Sequence, residues 1–87
     1  MNSTLRVIDN KSSNVSHFVR AEFVKDYYAT DQRQSVAWNG TIQLFKDSKD
    51  NYYLEYHSGN CNHKPFAKKV PASLLNADLE TAKEWVL

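Results

Sequence analysis

Residues 51–57 alternate strictly. Tyr52, Leu54 and Tyr56 point one way, and Tyr53, Glu55 and His57 the other, which is the period-two pattern of a β-strand. The preceding stretch, residues 36–46, carries strand-forming residues on both sides of Asn39-Gly40. Asn-Gly is a strong hairpin signal, because a type I′ turn needs positive φ at both central residues. That turn would set Trp38 opposite Thr41 and Val36 opposite Gln43. Trp38, Val36 and Phe45 would then share one face, and Ala37, Ile42 and Leu44 the other. The competing reading runs one strand through Gly40, with a bulge there. Asp47-Ser48-Lys49-Asp50 predicts the next turn, since Asp and Ser side chains bond nearby backbone groups.

Outside this region the pattern weakens. Thr4–Asp9 reads as a short strand and Asn10–Asn14 as a loop. Val15–Tyr28 is ambiguous. Val15, Phe18, Val19, Phe23 and Tyr27 fit helical spacing, while Val19, Ala21 and Phe23 alternate with Phe18, Arg20 and Glu22. Helix formers are sparse here, and β-branched and aromatic residues favour a long strand over roughly 17–28. Ser58–Lys69 reads as irregular, with Gly59, Pro65 and the basic residues Lys64, Lys68 and Lys69. Leu75, Leu79, Ala82 and Val86 form a helical stripe. Asn76 is its candidate N-cap, Asp78 and Glu80 fall in the first turn, and Trp85 is placed to anchor the helix end on the sheet.

These elements predict an α+β fold: an antiparallel sheet of four or five strands with one C-terminal helix packed on one face. The expected core is Val7, Val19, Phe23, Val36, Ile42, Leu44, Leu54, Leu79, Ala82 and Val86.

The 87 residues suit a single small domain spanning 1–87. Aromatic residues make up 13% of the chain, so large rings carry much of the burial available to so short a sequence. Net charge is only +1, which argues against a partner recognised through a strong overall field. Cys61 is the single cysteine, so no internal disulfide forms, as expected of a reducing compartment. The opening residues hold no apolar run of signal-peptide length, and no stretch approaches a membrane span. The four Asn-x-Ser/Thr triplets are read as chance. A cytoplasmic location is expected.

His57, Cys61 and His63, with His17 from another strand, offer atoms that zinc accepts. The paired spacing of known zinc motifs is missing, so the expectation is a polar loop without metal or cofactor. Cys61 between two histidines has the parts of an activated thiol, yet no phosphate-cradling loop, paired carboxylates or nucleophile motif accompanies it. The chain reads as a non-enzymatic binding protein acting through protein–protein contacts. The candidate contact residues are Trp38, Phe45 and Tyr53, with Lys64, Lys68 and Lys69 on the rim, because aromatic rings give rigid contact area at low entropic cost. The partner class expected first is a protein or nucleoprotein, a second copy of the chain included, and no membrane.

The rival reading is a single-stranded nucleic-acid module. Tyr52, Tyr53, Tyr56 and Phe66 would stack on bases, and Lys64, Lys68 and Lys69 would meet phosphates. The low net charge ranks it second. In size and layout alone, the chain resembles small inhibitors encoded by phages and mobile elements, such as anti-CRISPR proteins. That likeness carries no residue across and implies only inhibition by occupying a partner.

Overall fold

The computed structural model of the chain describes residues 2–9, 12–27, 40–58 and 64–86, with side chains described at 2–8, 17–27, 40–58 and 64–86. Five strands, β1 (Asn2–Asp9), β2 (Ser12–Tyr27), β3 (Thr41–Lys46), β4 (Tyr52–His57) and β5 (Phe66–Val70), precede a short 3-10 helix (Ala72–Asn76) and α1 (Leu79–Val86). The strands form a closed barrel in chain order. Neighbours from β1 to β5 pair antiparallel, and β5 returns to β1 in parallel through Val7 and Ala67. In a meander with an odd number of strands, the first and last run in the same direction. Closure therefore makes the sheet mixed rather than purely antiparallel, which corrects the expected fold while keeping its α+β class and its C-terminal helix.

The expected hairpin at Asn39-Gly40 does not supply the partner of β3. Gln43 faces Asp26 on one side and Glu55 on the other. A strand has two edges, and both edges of β3 are taken by β2 and β4. Val36, Ala37, Trp38 and Asn39 lie outside the described residues.

Residues 17–27 are strand, as the β-branched and aromatic content favours. β2 serves two neighbours. Its first part pairs with β1, and from Glu22 onward it pairs with β3. The register shifts by one residue between Phe23 and Lys25. A one-residue bulge reverses which face the following side chains occupy. Val19 and Ala21 therefore belong to one apolar cluster, whereas Tyr27 belongs to the other.

Those two clusters lie on opposite faces of the sheet. Leu5, Val7, Ala21, Phe45, Tyr53 and Ala67 are buried together, with Val19 against them. Every strand contributes, so this is the barrel interior. Ile42, Leu44 and Leu54 point the other way, onto the outer wall. There they meet Tyr27, Val70, Leu74, Leu79, Ala82 and Val86, the last four supplied by the 3-10 helix and α1. Phe23 of the expected core is 42% exposed, although its ring meets that of Phe45 edge-on at 6.0 Å.

β5 corrects the irregular reading of Ser58–Lys69. Ala and Lys are weak strand formers, and here the ladder to β4 imposes the extended state: Ala67 faces Glu55 and Lys68 faces Leu54. Pro71 lacks an N–H and fixes φ near −70°, which ends the strand and starts the 3-10 turn. Asp78, not Asn76, caps α1. The Thr81 backbone N–H donates to Asp78 Oδ1 at 2.9 Å, and this holds the Asp78 carboxyl below its usual range. Leu74 takes the buried place expected of Leu75. Trp85, placed by sequence as an anchor, is 37% exposed.

Candidate binding surface

The structure distributes the expected contact residues unequally. Phe45 and Tyr53 are 2% and 5% exposed. They face each other across β3 and β4 inside the barrel, so neither ring is offered to a partner. This corrects their expected surface role. Alternation places both on the face away from the helix, and barrel closure turns that face inward. Trp38 lies outside the described residues. Lys64 and Lys69 are exposed and Lys68 is half-buried. Lys69 sits on the opposite side of β5 from Lys68, opposite Tyr53.

Tyr53 closes the base of the β3–β4 turn instead. Its hydroxyl donates to Asp47 Oδ2 at 2.9 Å. Asp47 also accepts the backbone N–H groups of Lys49 at 2.8 Å and Asn51 at 2.9 Å, and the Asn51 side-chain amide at 3.1 Å. The Asn51 backbone bond leads in holding the Asp47 carboxyl down to about 2. Burial first, and Asp47 second, push the Tyr53 hydroxyl up to about 12. Asp50, with φ of 65°, supplies the left-handed residue of this turn, a position that Asp tolerates better than most non-glycine residues.

The surface that remains open is the outer wall of β1 and β2. Alternation sends Leu5 and Val7 inward, and so sends Asn2, Thr4, Arg6 and Ile8 outward; on β2 it sends Phe18, Arg20 and Glu22 outward. The register sets Phe18 opposite Arg6, and Arg20 opposite Thr4. Phe18 is 71% exposed. Arg6 is held across the barrel seam, where its Nε donates to the Pro65 carbonyl at 3.3 Å.

The same wall continues onto β5. With Val7 beside Ala67 facing inward, Arg6 falls beside Phe66 and Ile8 beside Lys68 on the outside. The Phe66 and Tyr56 rings meet edge-on at 5.6 Å, and Lys68 Nζ stands 5.9 Å from the Phe66 centroid. Both rings are half-buried at the margin of the helix-covered cluster. Sequence reasoning had named Tyr56, Phe66, Lys64 and Lys68. It missed Phe18 and Arg20, whose signal lay in the outward set of residues 18, 20 and 22, and Arg6, which the register of β1 against β2 brings to them.

At the far end of this wall an open cleft of about 400 Å³ is lined by Asn2, Arg20, Ala21, Glu22, Lys46, Asp47 and Ser48. Its charges balance, and Asp47 is already engaged by the turn.

Among the described residues, no three His, Cys, Asp or Glu side chains lie close enough to hold a metal. Cys61 and His63 lie outside those residues, His17 is exposed, and His57 Nε2 lies 2.8 Å from Glu55 Oε1. No helix among the described residues is long and apolar enough to cross a membrane. Comparison with known proteins finds no matching family model, no matching curated protein and no matching solved structure.

Proposed function

We propose that the chain is a non-enzymatic binding protein whose contact surface is the outer wall of β2, β1 and β5. One observation carries this reading. Phe18 holds a large ring 71% exposed in the middle of a paired strand, with Arg6 directly opposite. Strand positions facing water ordinarily carry polar groups, and aromatic and arginine side chains are the types that concentrate at interface hot spots. An inhibitor that works by occupying its partner is the narrower form of the same reading.

The test is affinity capture from the source cell with three immobilised baits: the native chain, Phe18→Ser, and Glu84→Ala on the exposed side of α1. The expected result is a macromolecule held by the native chain and by Glu84→Ala, and released by Phe18→Ser. Equal capture by all three baits removes the wall as the contact surface.

A further inference from the structure

Resting on that reading of the outer wall, we infer that its partner is single-stranded nucleic acid. Across β2, β1 and β5 the outward side chains Phe18, Arg6 and Phe66 run ring, cation, ring, and a second cation, Lys68, follows Phe66 along β5. The order comes from the registers of β1 with β2 and of β1 with β5, and from Lys68 standing over the Phe66 ring. Phe18 and Phe66 are two strand spacings apart, about 10 Å, so they are separate platforms rather than one stacked pair. A single strand presents the complementary series, with each base carrying a stackable face and each linkage a phosphate.

Local charge agrees better than net charge does. The outward positions described on β1, on β2 as far as Glu22 and on β5 hold three cations, Arg6, Arg20 and Lys68, and one carboxylate, Glu22; Lys25, beyond the bulge, is tied to the Leu75 carbonyl. That carboxylate lies at the far end, opposite Asn2. Lys64 is exposed beside Pro65, whose carbonyl accepts the Arg6 bond. The overall charge of +1 therefore conceals a basic wall.

A protein partner suits these residues less well. A protein hot spot is ringed by near-neutral contacts that exclude water in the complex, whereas Phe18 has Arg6 opposite it and Arg20 two residues on. Sequence-tolerant stacking needs only an exposed ring with cations within reach.

The experiment is fluorescence anisotropy with labelled oligothymidylate and oligouridylate of roughly 15 nucleotides, a length that covers the site of a small barrel. Salt is varied between about 50 and about 200 mM. Saturable binding at the lower salt is expected for the native chain, weakening as salt rises. Phe18→Ala should reduce affinity roughly 5- to 150-fold, the loss of one stacked base. Arg20→Gln should lower the slope of log affinity against log salt by about 0.7, the share of one phosphate contact. Glu84→Ala should change neither quantity. Circular dichroism of each variant establishes that it is folded.

Absence of saturable binding to both oligonucleotides overturns the inference. If Phe18→Ser still abolishes capture from a nuclease-treated lysate, the wall reading survives and its partner is a protein. Oligonucleotide binding that is indifferent to both Phe18→Ala and Arg20→Gln also overturns the inference, and equal capture by all three baits overturns the wall reading with it.

Discussion

The outer wall of the barrel has two halves built by the same rule and finished differently. Over β3, β4 and the Val70 end of β5 the outward residues Ile42, Leu44, Leu54 and Val70 are apolar and at most 5% exposed, because the 3-10 helix and α1 lie on them. Over β1 and β2 as far as Glu22 the outward residues are Asn2, Thr4, Arg6, Ile8, Arg20 and Glu22, with Phe18 alone among them as an exposed ring. Strand alternation governs both halves, unbroken in the β3–β4 and β4–β5 ladders and shifted after Ile8 in β1 and after Phe23 in β2. What differs is whether the chain supplies a cover. An apolar outward residue under α1 is a packing requirement, while the same residue type on the bare half is available for contact.

The most severe way to break this comparison is Leu54→Ala. Leu54 is fully buried between the sheet and α1, so truncation removes transfer energy and leaves a cavity, a loss of ~2–5 kcal/mol in chemical denaturation. A loss below ~1 kcal/mol would mean that α1 collapses onto the gap, or that the covered half is less tightly packed than its burial implies.

Tyr27→Phe comes next. The Tyr27 hydroxyl donates to the Leu74 carbonyl, fastening the 3-10 helix to β2, and burial raises that hydroxyl to about 12. Leu74 O also accepts the Ala77 N–H at 3.3 Å, so it keeps one partner in the variant. The expected loss is about 1–2 kcal/mol. The same variant should speed hydrogen exchange in α1 more than in β1, because the tie serves only the covered half.

Regions with one inescapable local pattern were legible in the chain. β4 declared itself through strict alternation, and α1 through Leu79, Ala82 and Val86. β5 did not, because its extended state comes from β4 rather than from Ala67, Lys68 or Lys69. The faces of Phe45 and Tyr53 were sorted correctly relative to Leu44 and Leu54. Which face turned inward could not be read, because both faces are covered by the chain, one by closure and one by α1. Arg6 and Phe18 were not paired in advance, since the register of β1 against β2 leaves no trace in either strand alone.

The β3–β4 turn links two strands of the covered half and gives a comparison in pH. Asp47 has a folded-state value near 2 against an ordinary 3.8. Its contribution is present above the ordinary value and is lost as pH falls from 3.8 toward 2. Tyr53 lies the other way, at about 12 against 10.0. Its contribution is present below pH 10 and is lost as pH rises toward 12. The two losses have different leading causes, the Asn51 backbone bond for Asp47 and burial for Tyr53, and share the bond between them. Tyr53→Phe is expected to flatten the alkaline fall in the melting temperature and to leave most of the acid fall, because the Asn51 backbone bond, not the tyrosine, leads in depressing Asp47.

The smallest stability effect is the sharpest test of the comparison. Phe18→Ala truncates a ring as large as those in the core, yet the residue is 71% exposed and outside both apolar clusters. Its change in unfolding free energy should stay within about 0.5 kcal/mol, and the urea m-value should not move. Removing an exposed aromatic from a strand can even raise solubility, since it shrinks the apolar area open to association. A loss above ~1 kcal/mol would place the ring under cover and make the bare half a second packed face. An unchanged fold leaves Phe18 without a structural duty, the outcome that the proposed contact surface requires.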